Sequence, residues 1–139
     1  MLKILLADWS RAERMAKPIR QAVFIEEQYV PEAEEWGHGD EKALHFIASL
    51  DGNAIATARL MADGTVGRMA VLKGYRNQGA GSAILEKLIE TAKQNKFAIL
   101  NLNAQRTAEG FYAKHGFIAQ GDEFIDAGIP HIEMTLVLD

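Results

Sequence analysis

The 139-residue chain has the length of one ordinary domain, and its balance of 48% hydrophobic and 24% charged residues suits a soluble globular protein with a real core. The absence of cysteine excludes thiol catalysis, disulfides and cysteine-based metal sites, and suits a reducing cytoplasm. A net charge of −4 argues against a nucleic-acid footprint, and no apolar stretch is long enough for a membrane span or, at the start, a signal peptide. One cytoplasmic domain over residues 1–139 is expected, without nucleic-acid or membrane partners.

Lys3 to Ala7 reads as a first strand. A helix follows from Ser10, where Glu13 completes a capping box, and Pro18 marks a kink or the start of a second helical piece. The segment around Pro31, Gly37 and Gly39 is a loop by its breakers, and Glu26 to Glu41 holds seven acidic residues without a lysine or arginine. Ala43–Leu50 and Ala54–Met61 are apolar strands joined by the hairpin signal Asp51-Gly52-Asn53, and Asp63-Gly64 turns into a third strand, Thr65–Leu72. The period then changes. Ile84, Leu85, Leu88, Ile89 and Ala92 share one helical face as far as about Asn95. Phe97–Leu102 is a strand, Ala104–His115 a helix closed by Gly116, and Phe117–Gln120 and Ile132–Leu138 complete an α+β sheet.

The most informative turn is Arg76-Asn77-Gln78-Gly79-Ala80-Gly81-Ser82, between a strand and an amphipathic helix. A helix start exposes unpaired N–H groups and a positive dipole end, which suit an anion, and the two glycines keep side chains out of its way. The turn is not a P-loop, because Ala80 and Gly81 stand where Lys and Ser/Thr should follow. Nor is it a dinucleotide fingerprint, which would need a third glycine at Ile84.

Arg76-Asn77-Gln78-Gly79-Ala80-Gly81 resembles the acetyl-CoA motif of the GNAT superfamily of N-acetyltransferases. Asn103-Ala104 with Ala108, Phe111-Tyr112 and Gly116-Phe117 is similar to its second signature. Val23 to Gln28, His45-Phe46 and Gly128 to Met134 look like the ElaA/YjcF branch. The resemblance implies a GNAT acyl-CoA N-acyltransferase fold, with a mixed, mostly antiparallel sheet flanked by helices and splayed between its central strands. It implies acetyl-CoA as co-substrate, its pyrophosphate on the backbone from Gln78 to Ser82 beside Arg76 and Asn77. The pantetheine arm would lie along Met69, Ala70 and Val71, near Asn103, Ala108 and Phe111. It also implies that Tyr112 stands near the acetyl sulfur, where a phenol is a proton donor at neutral pH.

Many members carry a glutamate on the strand before the phosphate turn. Here Thr65 to Val71 holds no carboxylate. The general base is therefore sought among Glu27, His45 and His131, or a water chain, and the oxyanion donor is the backbone N–H near Ala70 or Val71, with Gly67 marking a bulge. The four histidines, His38, His45, His115 and His131, share no metal-binding spacing, so no metal is expected. The acidic segment reads as a solvated loop, or else as an attractor of cationic amines. Transfer to a primary amine of a small molecule or peptide, an acetyl-CoA sensor without turnover, and an interaction module remain open, as do monomer and homodimer.

Overall fold

In the computed structural model, which describes residues 1–36 and 39–138, the chain leaves strand β1 (Leu2–Ala7) straight into helix α1 (Trp9–Arg20). The cap is Asp8 rather than Ser10. Its carboxylate accepts from the Arg11 N–H at 3.2 Å and from the Ser10 hydroxyl at 2.9 Å, so Ser10 lies inside the first turn and no Ser10–Glu13 box forms. Pro18 sits inside α1 without ending it. Beyond Arg20 the helix widens into a π-helical stretch, Gln21–Glu27, and the Gln28 N–H reaches back five residues to the Val23 carbonyl at 3.1 Å.

The acidic segment is not a plain solvated loop. It contains helix α2 (Glu32–Glu35) and a 3-10 turn at Asp40–Lys42, and both Glu35 and Asp40 are buried. Arg20, itself buried, draws them in. Its guanidinium donates to Glu35 Oε2 at 2.7 Å, to the Glu35 carbonyl at 2.9 Å and to Asp40 Oδ1 at 2.8 Å. The rings of Trp9 and Trp36 lie 5.5 and 5.0 Å from its charge. Gly37 and His38, read as part of this loop, lie outside the described residues, as does Asp139.

Strands β2 (Leu44–Leu50), β3 (Asn53–Leu60) and β4 (Val66–Val71) form the expected antiparallel meander, with β1 on the outer edge of β2. Asp51 and Gly52 both take positive φ (51° and 88°), the backbone that a two-residue hairpin turn requires. Helix α3 (Ala80–Gln94) leads to β5 (Ile99–Gln105), a 3-10 turn, helix α4 (Glu109–Lys114), β6 (Ile118–Asp126) and β7 (Ile129–Val137). These last strands form a second sheet in the order β5-β7-β6.

Two boundaries differ from the sequence reading for one reason. Ala104 and Gln105 continue β5 because they pair with Ile132 and His131, so α4 begins at Glu109 and not at Ala104. Likewise β6 runs past Gln120 to Asp126 because β7 folds back on it. Strand pairing supplied by a distant segment overrides local helical preference.

The sheet buries both faces by period-two alternation. Phe46 and Ala48 face Ile84, Leu85 and Leu88 of α3, whereas Ile47 faces Ala12 and Ala16 of α1. Ile19 and Val23 pack with Ala70 of β4, which ties the π-helical stretch to the central strand.

Among the described residues one parallel bridge, Thr65 to Asn101, joins the backbones of the two sheets, reinforced by the Asn101 N–H donating to the Gly64 carbonyl at 3.0 Å. Past that bridge β4 pairs only with β3 and β5 only with β7, so the central strands splay. This is an α+β architecture with mostly antiparallel strands flanked by helices and splayed at the centre, the arrangement the resemblance implied. Gly64 makes the junction possible: its φ is 94°, and a Cβ there would stand 2.5 Å from the Ile99 carbonyl oxygen. Gly64→Ala should therefore cost at least about 1–3 kcal/mol from backbone strain alone. Urea unfolding, with Gly52→Ala as a positive-φ control free of any neighbour within 4 Å, measures the part owed to the junction.

Candidate active site

Between the splayed strands lies a cleft of about 990 Å³, lined by β4, the start of α3, the end of β5, α4 and the π-helical end of α1. At one end stands the glycine turn that opens α3. Asn77 and Gly79 take positive φ (61° and 90°), and no side chain caps α3. Ala83 bonds back to the Gly79 carbonyl at 3.0 Å, leaving the N–H groups of the turn before it available to an anion. Space above Gly79 is open, whereas a Cβ on Gly81 would come to 3.4 Å from the Phe111 ring and 3.7 Å from Val71. The turn thus has the donors and the room that a pyrophosphate needs.

Of the residues expected to hold acetyl-CoA, Met69, Ala70, Val71, Arg76, Asn77, Gly79, Ala80, Gly81, Ser82, Asn103, Ala108, Phe111 and Tyr112 all line this cleft. Gln78 does not, and its amide turns back to the Gly74 carbonyl at 3.4 Å. Arg76 is not a free charge. It donates to the Val71 carbonyl at 2.9 Å and, through both Nη atoms, to the two carboxylate oxygens of Glu27 at 2.7 Å.

The bulge expected at Gly67 is one residue further on. Thr57 stands opposite Ala70 and Arg59 opposite Gly67, so Arg68 and Met69 together face Ala58. Arg68, not the glycine, takes positive φ (51°). Such a bulge bends β4 and takes residues out of the ladder where the cleft is deepest in polar chemistry.

Tyr112 is buried between Phe111 and Phe117, with edge-on ring contacts at 5.1 and 5.9 Å. Burial pushes its pKa up to about 12. The phenol therefore stays protonated throughout the neutral range.

The three base candidates separate by geometry. Glu27 lines the cleft, but its hydrogen bonds from Arg76 hold its carboxyl below the ordinary range and commit both oxygens. His45 does not line the cleft. It is buried with Nε2 donating to the Asp40 carbonyl at 2.8 Å, and desolvation lowers its pKa. His131 lines the cleft, stacks on Phe124 at 5.7 Å, and sets Nδ1 2.7 Å from the Ile129 carbonyl. A carbonyl can only accept, so Nδ1 carries the proton and Nε2 is left as the acceptor.

Among the lining residues to which the motifs gave no role are Gln28, Gln105, Arg59 and Arg68. Gln28 and Gln105 exchange amide hydrogen bonds at 2.8 and 3.3 Å, joining the end of the π-helical stretch to the end of β5. Arg59 and Arg68 line the end near the bulge. A readable signal existed for Arg59, an arginine inside the apolar run Ala54–Leu60, because a charge there must find a buried partner. For Gln28 and Gln105, 77 residues apart, no local signal existed.

Comparison with known proteins places this geometry in a family. The acetyltransferase (GNAT) domain model matches residues 9–138, and the chain belongs to that family. It is 36% identical to the uncharacterized N-acetyltransferase YjcF of Bacillus subtilis (strain 168), over 84% of this chain and 86% of that one. The structure resembles an acyl-CoA N-acyltransferase from Pseudomonas aeruginosa at 26% identity and a TM-score of 0.84, covering 99% of this chain and 100% of the other. It also matches the fold of Escherichia coli ElaA at a TM-score of 0.87 and 24% identity, with 98% and 99% coverage. These relatives agree with the ElaA/YjcF-like branch that the motifs suggested.

Among the described residues no group of histidines and carboxylates is arranged to hold a metal, and no helix is long and apolar enough to cross a membrane. The phenol gives a direct check on the site. Absorbance titration at alkaline pH should reveal one tyrosine ionising near 12, and Tyr112→Phe should remove that step.

Proposed function

We propose that this protein moves an acetyl group from acetyl-CoA directly to a primary amine of a small molecule or peptide. One observation carries the reading: an uncapped helix start able to hold a pyrophosphate and a buried, protonated phenol line the same cleft. The turn from Gln78 to Ser82 binds the phosphates through its backbone, and β4 from Met69 to Val71 aligns the pantetheine arm. Acetyl-CoA supplies the activated thioester. Its carbonyl oxygen is met by a backbone N–H of Ala70 or Val71, which polarises the carbon toward the amine.

His131 takes the proton that the amine loses as its nitrogen bonds to the acetyl carbon. Nε2 is the atom that receives it, since Nδ1–H is held by Ile129. Tyr112 donates a hydrogen bond to the sulfur as the carbon–sulfur bond breaks. With its pKa raised it stabilises the departing thiolate as a fixed donor and gives up its own proton only transiently. Glu27 holds Arg76 in place beside the phosphate turn, a positioning role that suits its paired, lowered carboxyl better than proton abstraction.

Calorimetric titration with acetyl-CoA tests the binding half. Micromolar affinity is expected, with loss of at least about 100-fold in Gly81→Glu, whose new side chain would enter the space between Phe111 and Val71. Folded wild-type protein that does not bind acetyl-CoA would overturn the reading. For the chemical half, Tyr112→Phe and His131→Asn should each lower kcat about 100-fold or more while the acetyl-CoA affinity holds. Retained binding with no turnover of any amine by the wild type would leave a sensor in place of an enzyme.

A further inference from the structure

The end of the cleft away from the phosphate turn has an unbalanced charge. Among the described residues three guanidinium groups, Arg20, Arg59 and Arg68, meet two carboxylates, Glu35 and Asp40. Asp40 Oδ1 accepts from both Arg20 and Arg59, at 2.8 and 2.9 Å, and Glu35 Oε2 lies 2.7 Å from Arg20 and 3.3 Å from Arg68. His45 beside them adds no compensating charge. The two carboxylates that line the cleft itself do not help. Glu27 is committed to Arg76, and among the described residues the ion pairs of this cluster do not include Asp126. One positive charge is left over in a largely desolvated setting, where an unmatched charge is costly.

The donors tell the same story. The Nε of Arg59 is buried and finds no hydrogen-bond acceptor among the described residues, and the Nε of Arg68, also buried, lies 3.3 Å from Glu35 Oε2 without forming a hydrogen bond to it. Native structures leave few such groups, and each calls for an explanation. Both arginines line the cleft, and Arg68 keeps 28% of its side chain accessible on the strained bulge of β4. The site is distinct from the phosphate turn. Gly67, the partner of Arg59, lies four residues up β4 from Val71, roughly 13 Å of strand.

We infer that Arg59 and Arg68 form an anion subsite for the acceptor, and that the acceptor amine carries a carboxylate, as an amino acid does. The excess is a single charge, which a carboxylate neutralises and a phosphate dianion would overshoot. A carboxylate also matches the planar fork of a guanidinium. This inverts the expectation that the acidic segment attracts a cationic amine, because its Glu35 and Asp40 face inward and serve to hold the arginines. The inference rests on the acetyltransferase reading for the word acceptor, but the charge imbalance stands without it.

The test reads binding, not turnover. Arginine Nε–H resonances of the wild-type protein are followed by NMR during titration with the standard amino acids and, in parallel, with the amines that lack their α-carboxylate. The Arg59 and Arg68 signals should move with at least one amino acid and remain still with its carboxylate-free counterpart. Arg68→Gln, checked for an unchanged thermal midpoint, should weaken that binding about 10-fold or more. If Arg68→Gln fails to fold, the paired titration of the wild type still decides. Movement with no amino acid, or equal movement with both members of a pair, would overturn the subsite. Failure of acetyl-CoA to bind would count against the transfer reading alone.

Discussion

The cleft exists because, among the described residues, one backbone bridge joins the two sheets and their central strands part beyond it. Gly64 brings the turn before β4 against the start of β5 closely enough for its carbonyl to bond Asn101, at a separation where any Cβ would meet the Ile99 carbonyl. After that bridge each central strand finishes its ladder on its outer side, β4 with β3 and β5 with β7. The inner edges are left with backbone groups facing a gap, which is the arrangement a ligand with its own amide bonds can complete. The phosphate turn, Tyr112 and His131 are separate pieces of chemistry that meet only because this junction sets the angle between their supports.

A second constraint shapes the far wall. Arg20 holds Glu35 and Asp40 inside the fold, and these carboxylates in turn hold Arg59 and Arg68. Hydrogen bonds from Arg20 and Arg59 outweigh the burial that would otherwise raise the Asp40 pKa, so the group stays ionised at neutral pH. The π-helical end of α1 packs on Ala70 through Ile19 and Val23, and the same helix carries Phe24, Glu27 and Gln28 to the cleft. One helix therefore supplies a buried cation at its last α-turn and cleft-lining groups one and two turns later. A change in its pitch would shift both at once.

Much of the fold was legible in local patterns. The hairpin at Asp51-Gly52, the apolar face of α3 and the Gly116 stop of α4 follow from turn chemistry and helical period, which act over a few residues. The errors share a cause. Asp8 displaced Ser10 as the cap because the chain leaves β1 directly into α1. Ala104 stayed in β5, and β6 lengthened to Asp126, because β7 offered them partners. The bulge moved from Gly67 to Arg68 because register against β3, and not glycine's freedom, decides where the extra residue falls. In the site, the glycine turn that opens α3 was readable since it is built from contiguous backbone.

The sequence by itself determined which chemistry the chain carries: a glycine turn opening a helix, a tyrosine on a short helix downstream, no thiol, and no carboxylate on β4. Those are properties of residue type and short spacing. Only the tertiary structure decided how they are deployed. It bound Glu27 to Arg76 and His45 to the Asp40 backbone, leaving His131 with a free nitrogen at the cleft, and it turned the acidic segment inward against three arginines. Pairing of charges and satisfaction of buried donors depend on residues tens of positions apart, and no local pattern encodes which of them will meet.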